Sequence, residues 1–153
     1  MTSALSYLHR LLLALWLGGM LFLSGVVAPV VFSGILPTPQ LSGDVVSAAL
    51  SRLDSFGLIA GPGLILTALL IAGFSTFRDK IRVLLTAAMT ALAGTSHFII
   101  QPAVHALRVA LHTSEAPRAE FSTLHRLSTT MLAVEIVCAL VVLAILPARR
   151  REP

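Results

Sequence analysis

Length, composition and charge limit the class of protein before any motif is considered. The chain has 153 residues, of which 56% are hydrophobic and only 12% are charged. Soluble domains usually contain about 25% charged residues, so a soluble core could not hold this apolar excess. The net charge of +4 does not indicate nucleic-acid binding, because the basic residues lie at the ends of apolar segments rather than on one soluble face. The composition therefore predicts an integral membrane protein.

Four long apolar segments account for most of the chain. A hydrocarbon core about 30 Å thick requires about 20 helical residues with a rise of about 1.5 Å each. Each segment is a continuous apolar run of this length, without the alternation that is typical of a membrane β-barrel. The first run continues past Pro29, which favours a retained span over a cleaved signal peptide. We predict an all-α, four-helix membrane bundle, a single domain over residues 1–153, with spans at 11–32, 56–77, 81–103 and 124–146.

The connections between the spans predict how the spans are arranged. Residues 33–39 contain one glycine and two prolines, which end the first helix. Residues 42–56 place apolar side chains at helical spacing, which predicts a short amphipathic helix on the membrane interface before span two. Only a few charged residues join spans two and three, so these spans are predicted to be antiparallel neighbours.

The basic residues are divided unequally between the two sides of the predicted membrane. Seven lie beside the termini and the link between spans two and three, whereas the other side has four, accompanied by acidic residues. By the positive-inside rule we expect both termini in the cytoplasm. Ten Arg against one Lys is typical of a bacterial chain from a GC-rich genome, so we expect a bacterial inner membrane. The seven residues are Arg10, Arg78, Lys80, Arg82, Arg149, Arg150 and Arg151.

Small residues recur at four-residue spacing within the spans, with Gly57 and Gly61 as one pair. In lipid such faces let helix backbones approach each other and gain van der Waals contact. The pattern has two interpretations. It is either tight packing within one bundle or a homo-oligomer that forms through Gly57 and Gly61.

Polar side chains inside the predicted spans form the candidate site. His97, Gln101 and His105 follow one another at four-residue spacing on span three, with Arg108 three residues beyond, and therefore share one helix face. A polar stripe of this kind is expected to face protein rather than lipid.

Span four contributes a second polar face. Ser128 and Glu135 are seven residues apart and point in nearly the same direction. Glu135 falls near mid-membrane, where an ionised and unpaired carboxylate is costly, so it must be neutral, paired or beside water.

These polar residues allow two interpretations, one functional and one structural. A histidine can ligate a metal or haem iron or pass protons, and a buried carboxyl group can carry a proton. The structural alternative is hydrogen bonding between helices. We predict ligand binding at His97, Gln101, Ser128 and Glu135. His105 and His125 are candidate metal ligands together with His97, His112 and Glu120, although their spacings match no ligand signature.

Three motifs resemble a known family of membrane proteins. Span one carries Trp16-Leu17-Gly18-Gly19 and Ala28-Pro29-Val30-Val31-Phe32, and span four opens with Phe121-Ser122-Thr123-Leu124-His125-Arg126-Leu127-Ser128. This combination resembles the transmembrane protein 205-like domain family, small four-helix membrane proteins of unassigned biochemical role, over nearly the whole chain. The chain departs from that family at Gln101-Pro102, where the family has His-Pro, and at Met131-Leu132, where it has an Asn.

A second resemblance rests on His9 and the Trp16-Leu17-Gly18-Gly19 motif. Both features are similar to the opening of copper-resistance protein D-like membrane proteins and of the bacterial haem-binding protoporphyrinogen oxidase. This similarity implies haem or copper as a cofactor.

Together these patterns predict a non-enzymatic membrane protein whose four helices enclose a modest polar site in the outer half of the bilayer. The principal alternative is a haem- or copper-dependent redox protein, and a third is a purely structural subunit. The expected partners are the lipid bilayer and a second copy of the chain, with no nucleic acid.

Overall fold

The fold is built from helices that are joined by short turns. The computed structural model describes residues 2–111 and 118–146. No β-strand occurs among these residues. The α-helices are Thr2–Phe22, Ala28–Val30, Pro39–Ala72, Phe77–Thr95, Gln101–Leu111 and Arg118–Ile145, and wider π-helical turns occupy Leu23–Val27, Val31–Ile35 and Ser96–Ile100.

Some of these segments run directly into one another and form longer helical spans. Within the described residues, four spans are long and apolar enough to cross a membrane. We name them span one, Ser3–Ile35; span two, Pro39–Ile71; span three, Phe77–Leu107; and span four, Glu120–Ile145. The predicted all-α, four-helix membrane bundle is therefore confirmed, and the protein is a multi-pass membrane protein.

The helix ends follow from local sequence chemistry. Gly34, whose φ of 93° favours glycine, interrupts the last turn of span one, and the helix of span two ends at Gly73, whose φ is 60°. Thr76 and Asp79 form a capping box at the start of span three, in which each side chain accepts from the other residue's backbone N–H. Thr38 caps the start of span two by accepting from the backbone N–H of Leu41 at 3.2 Å.

The predicted interfacial helix between spans one and two is helical, but it is not a separate element. Residues 42–56 are the first half of the continuous helix Pro39–Ala72. The helix could have ended at the glycine at position 43 or at Gly57. Gly57 instead lies inside the helix and packs against Trp16. This continuity extends span two by more than a dozen residues toward the amino terminus and carries Asp54 into the bundle.

The four spans pack as a closed ring in chain order. Span two contacts spans one and three, and span four contacts spans three and one. The largest fully buried side chains come from all four spans, so the ring encloses one core. They are Leu13, Trp16 and Met20 from span one, Leu64 from span two, Met89 from span three and Val142 from span four.

The small residues Gly57 and Gly61 lie at contacts within this ring. A Cβ atom at Gly57 would lie 2.6 Å from Cζ2 of Trp16, and one at Gly61 would lie 2.9 Å from Cβ of Thr90. Both glycines therefore permit close approach between spans of the same chain. Their positions support the packing interpretation of the small-residue pattern.

Candidate functional site

A cavity of about 440 Å³ lies at the end of the bundle opposite the link between spans two and three. We name this the amphipathic cavity. Its wall is mainly apolar, with Leu23, Leu50 and Val104 buried at its base. The predicted site residues Gln101, His125 and Ser128 also line it. The remaining lining residues are Ser24, Ala28, Pro29, Phe32, Gly43, Val46, Ser47, Thr129, Leu132, Ala133 and Ile136.

The π-helical turns of spans one and three lie beside this cavity. At Ser96–Ile100 the backbone N–H of Gln101 donates to the carbonyl of Ser96, five residues earlier. In span one, Leu23–Val27 and Val31–Ile35 flank Pro29, which cannot donate a backbone hydrogen bond. Such insertions widen a helix by one residue per turn and are frequent at functional sites. They set the direction in which Gln101 and the residues around Pro29 face the cavity.

A second concave surface runs between the first half of span two and the second half of span three. It has a volume of about 560 Å³, and His97, Gln101 and His105 lie along it together with Asp44 and Ser51. We name it the histidine groove. His97 Nδ1 is 3.5 Å from the Ser51 hydroxyl, at the outer limit of a hydrogen bond. The four-residue spacing thus places the three side chains along one surface, and Gln101 faces both this groove and the cavity.

Glu135 lies away from both surfaces, in the interior of the bundle. It is 3% exposed, and so is Asp54 of span two. The two carboxyl groups are close enough to interact electrostatically, and Asp54 interacts in the same way with His97. The Ser96 hydroxyl donates to Asp54 Oδ2 at 2.6 Å. The Ser96–Asp54 hydrogen bond therefore joins spans three and two, and Glu135 of span four lies within electrostatic range of Asp54. We name Asp54 and Glu135 the carboxyl pair.

Asp54 is the site residue that sequence reasoning missed. The predicted interfacial helix placed it outside the membrane, whereas the continuous helix buries it. A usable signal was present, because Asp54 lies three residues before Gly57 and seven before Gly61. The three residues therefore share one helix face, and an acidic residue on a close-packing face must be buried in the bundle.

Removing the Ser96 hydroxyl should measure the hydrogen bond to Asp54. Ser96→Ala is expected to lower the free energy of unfolding by about 1–3 kcal/mol, because it leaves a buried acceptor without its donor. The neighbouring Thr95 is exposed and bonds only to the Ala91 carbonyl of its own helix, so Thr95→Ala is a matched control with an effect below about 0.5 kcal/mol. Detergent-induced unfolding measures both, and equal effects would contradict the assignment.

The two candidate metal ligands do not form a metal cluster with other residues that the structure describes. Residues 2–111 and 118–146 contain no group of three His, Cys, Asp or Glu side chains that could hold a metal ion. His105 lies in the histidine groove, whereas His125 stacks on Phe121 with ring centroids 6.3 Å apart and faces the cavity. The expectations for His112 and for the side chain of Arg108 lie outside the described residues.

His9, on which the haem and copper resemblance rests, has surroundings that do not fit either group. Its Nδ1 atom is 2.8 Å from the Thr67 hydroxyl. The cavity beside the ring has a volume of only about 20 Å³ and is also lined by Arg10 and Arg82. A porphyrin is far larger than this space, and the guanidinium groups oppose a copper cation.

Comparison with known proteins gives a family. A family model described as a domain of unknown function, DUF4149, matches residues 11–113. The chain belongs to this family. The match covers spans two and three and span one from residue 11 onward. It therefore includes Asp54, His97 and Gln101, but it ends before span four. Searches of the curated proteins and of the solved structures found no match. DUF4149 is a family of unknown function, so the function must be inferred from the site.

Proposed function

We propose that this protein binds a small, largely apolar molecule that carries a hydrogen-bonding group, within the amphipathic cavity. The observation that carries the proposal is the cavity's combination of size and lining. Its volume of about 440 Å³ falls in the range of about 300–1,000 Å³ that is typical of small-molecule sites. Such sites are mostly apolar, with a few polar groups that orient the ligand.

The polar groups of the cavity define the chemistry of the guest. Ser128 is 8% exposed and offers a hydroxyl that can donate or accept, and the Gln101 amide can do both. His125 adds a ring that can exchange a proton. A guest with a hydroxyl, carbonyl or carboxyl group would satisfy these side chains, while its apolar body would contact Leu23, Leu50 and the other apolar lining residues.

The bilayer is the natural source of such a guest. Phe32 and Ala133, on spans one and four, line the cavity and are themselves exposed on the outside of the bundle. A molecule that is dissolved in the hydrocarbon region could therefore enter between these two spans. The charge distribution supports a bacterial inner membrane with both termini in the cytoplasm and the cavity in the outer half.

Three other expectations receive less support. Copper lacks a group of three His, Cys, Asp or Glu ligands among the described residues, and the surroundings of His9 fit neither haem nor copper. A homo-oligomer through Gly57 and Gly61 would need a face that already packs inside one chain. A purely structural subunit would not require a cavity with polar groups, although it remains the outcome if nothing binds.

The test is native mass spectrometry of the protein released from mild detergent, combined with analysis of an organic extract. We expect the wild-type protein to carry a co-purified small molecule. Ala28→Leu, which fills the cavity, should lose that molecule, as should the polar-group variant Ser128→Leu. Ala87→Leu is the matched control, because Ala87 is exposed on span three and does not line the cavity. Equal occupancy in wild type, Ala28→Leu and Ala87→Leu would overturn the proposal.

A further inference from the structure

A small cavity lies at the other end of the bundle, beside the link between spans two and three. Two of the residues that line it each carry a buried polar atom with no hydrogen-bond partner among the described residues. His9 Nε2 and Arg82 Nε are both buried and make no hydrogen bond within the part of the chain that the structure describes. Both residues line the same cavity of about 20 Å³, with Ser6, Arg10, Ile71 and Leu146 completing its wall. We name this the link-end cavity.

Buried polar atoms of this kind are costly without a partner. His9 is 1% exposed and Arg82 is 4% exposed. An unsatisfied buried polar group lowers stability, so two such atoms on residues that line one cavity indicate a shared guest. A cavity needs only about 10–15 Å³ to hold one water molecule. The volume of about 20 Å³ is therefore sufficient for one water molecule.

The hydrogen bonds of His9 decide which proton-bearing groups face the cavity. The Thr67 hydroxyl donates to the Gly63 carbonyl at 2.8 Å and is 3.0 Å from the Leu64 carbonyl, so its proton is already committed to its own helix. The hydroxyl oxygen can then accept from Nδ1–H of His9, which is 2.8 Å away, and the Leu64 backbone also hydrogen-bonds to the His9 ring. In the neutral imidazole this leaves Nε2 as a bare acceptor.

Arg82 presents the opposite hydrogen-bonding character. One of its terminal nitrogens is 3.3 Å from Asp79 Oδ1 and donates to the Ala68 carbonyl at 3.4 Å. Its Nε–H remains a donor without a protein acceptor among the described residues. The guanidinium is close enough to act electrostatically on the His9 ring and opposes a second positive charge there. The guest must therefore donate to His9 and accept from Arg82.

We propose that the link-end cavity binds one ordered water molecule, which donates to His9 Nε2 and accepts from Arg82 Nε–H. Water meets the requirements of size and hydrogen bonding together. A halide ion has the right size, but it has no proton to give to Nε2 and would require His9 to become protonated beside Arg82. The bound water joins span one to span three, and His9 continues the connection to Thr67 of span two.

Solid-state NMR of protein labelled with ¹⁵N-histidine and ¹⁵N-tryptophan, in bilayers, tests this proposal. The expected result is a neutral His9 with Nδ1 protonated and Nε2 bare, together with rapid polarisation transfer from water protons to the His9 ring. The His9 signal is assigned as the one that is missing in His9→Gln. The buried ring of Trp16, which does not line this cavity, is the internal control and should receive transfer slowly.

Two variants and one change of salt separate the outcomes. Arg82→Leu removes the donor to the water, so the transfer to His9 should be lost. If that variant does not fold, Ile71→Phe provides the second test, because a larger side chain in the wall of the cavity should displace the water and abolish the transfer to His9. Exchanging sodium chloride for sodium gluconate should change nothing. A protonated Nε2, halide-dependent His9 signals, or water transfer as slow as that of Trp16 would each overturn the proposal.

Discussion

Replacing Gly57 with alanine is expected to destabilise the bundle, although the same exchange normally favours a helix. A Cβ atom at this position would lie 2.6 Å and 2.8 Å from two carbons of the Trp16 ring, which is fully buried and cannot move aside freely. Overpacking of this kind costs about 1–3 kcal/mol and exceeds the gain of about 0.5–1 kcal/mol from replacing a helical glycine. Gly57→Leu should cost more and is expected to prevent folding.

Gly18 provides the matched control for this prediction. It lies in span one, and a Cβ atom built there meets nothing within 4 Å. Gly18→Ala should therefore stabilise the protein by about 0.5–1 kcal/mol. Reversible unfolding in mixed micelles measures both variants. The double variant Gly57→Ala with Trp16→Phe should recover part of the loss, since the smaller ring leaves room, and purely additive effects would contradict the contact.

Neutralising the carboxyl pair is expected to stabilise the protein. Asp54 and Glu135 are both 3% exposed and interact electrostatically in the interior of a membrane bundle. Like charges in such a site are unfavourable, so the pair must hold a proton or a cation when both groups remain acidic. The double variant Asp54→Asn, Glu135→Gln removes the need for a bound proton or cation and keeps the shape of both side chains. The amide carbonyl introduced at position 54 could still accept a hydrogen bond from Ser96. By analogy with buried ion groups in soluble proteins, we expect a gain of about 1–4 kcal/mol.

The direction of this change distinguishes a role in stability from a role in function. A more stable amide variant would mean that the acids are kept at a cost to stability, which is typical of functional sites. The single variants Asp54→Asn and Glu135→Gln should show coupling of about 0.5–3 kcal/mol, because the two groups interact directly. Loss of stability in the double variant, measured by the same unfolding assay, would show that the carboxyl groups are structural.

The fold was predictable because span length and apolar composition act independently of tertiary detail. A segment of about 20 apolar residues has only one stable solution in lipid, so the four spans followed from the sequence. The continuity of the helix from residues 42–56 into span two could not be predicted from the sequence in this way. That outcome depends on whether Gly57 breaks the helix or packs against Trp16, and a contact between distant residues decides it. The error in this one boundary also hid Asp54.

Helix periodicity predicted which site residues share one helix face, but it did not predict which helices these residues meet. The spacing of His97, Gln101 and His105 placed them on one surface, which the groove shows. The meeting of Gln101 with Ser128 and His125 at one cavity depends on how spans three and four are registered against each other. Glu135 was expected near His97 and Gln101, whereas its electrostatic partner is Asp54. Periodicity within one helix contains no information about such register.

The most direct test of the central claim, that the amphipathic cavity accepts a guest, is the chemical reactivity of a cysteine placed in it. Cys138 is the single cysteine, so a Cys138→Ala background leaves no competing thiol. In membranes, Ser128→Cys should react with N-ethylmaleimide, because Ser128 lines the cavity although it is only 8% exposed. Ala139→Cys, at a fully buried position of the same span that does not line the cavity, should stay unreactive until the protein is unfolded. Equal protection of the two cysteines in the folded protein would contradict the account.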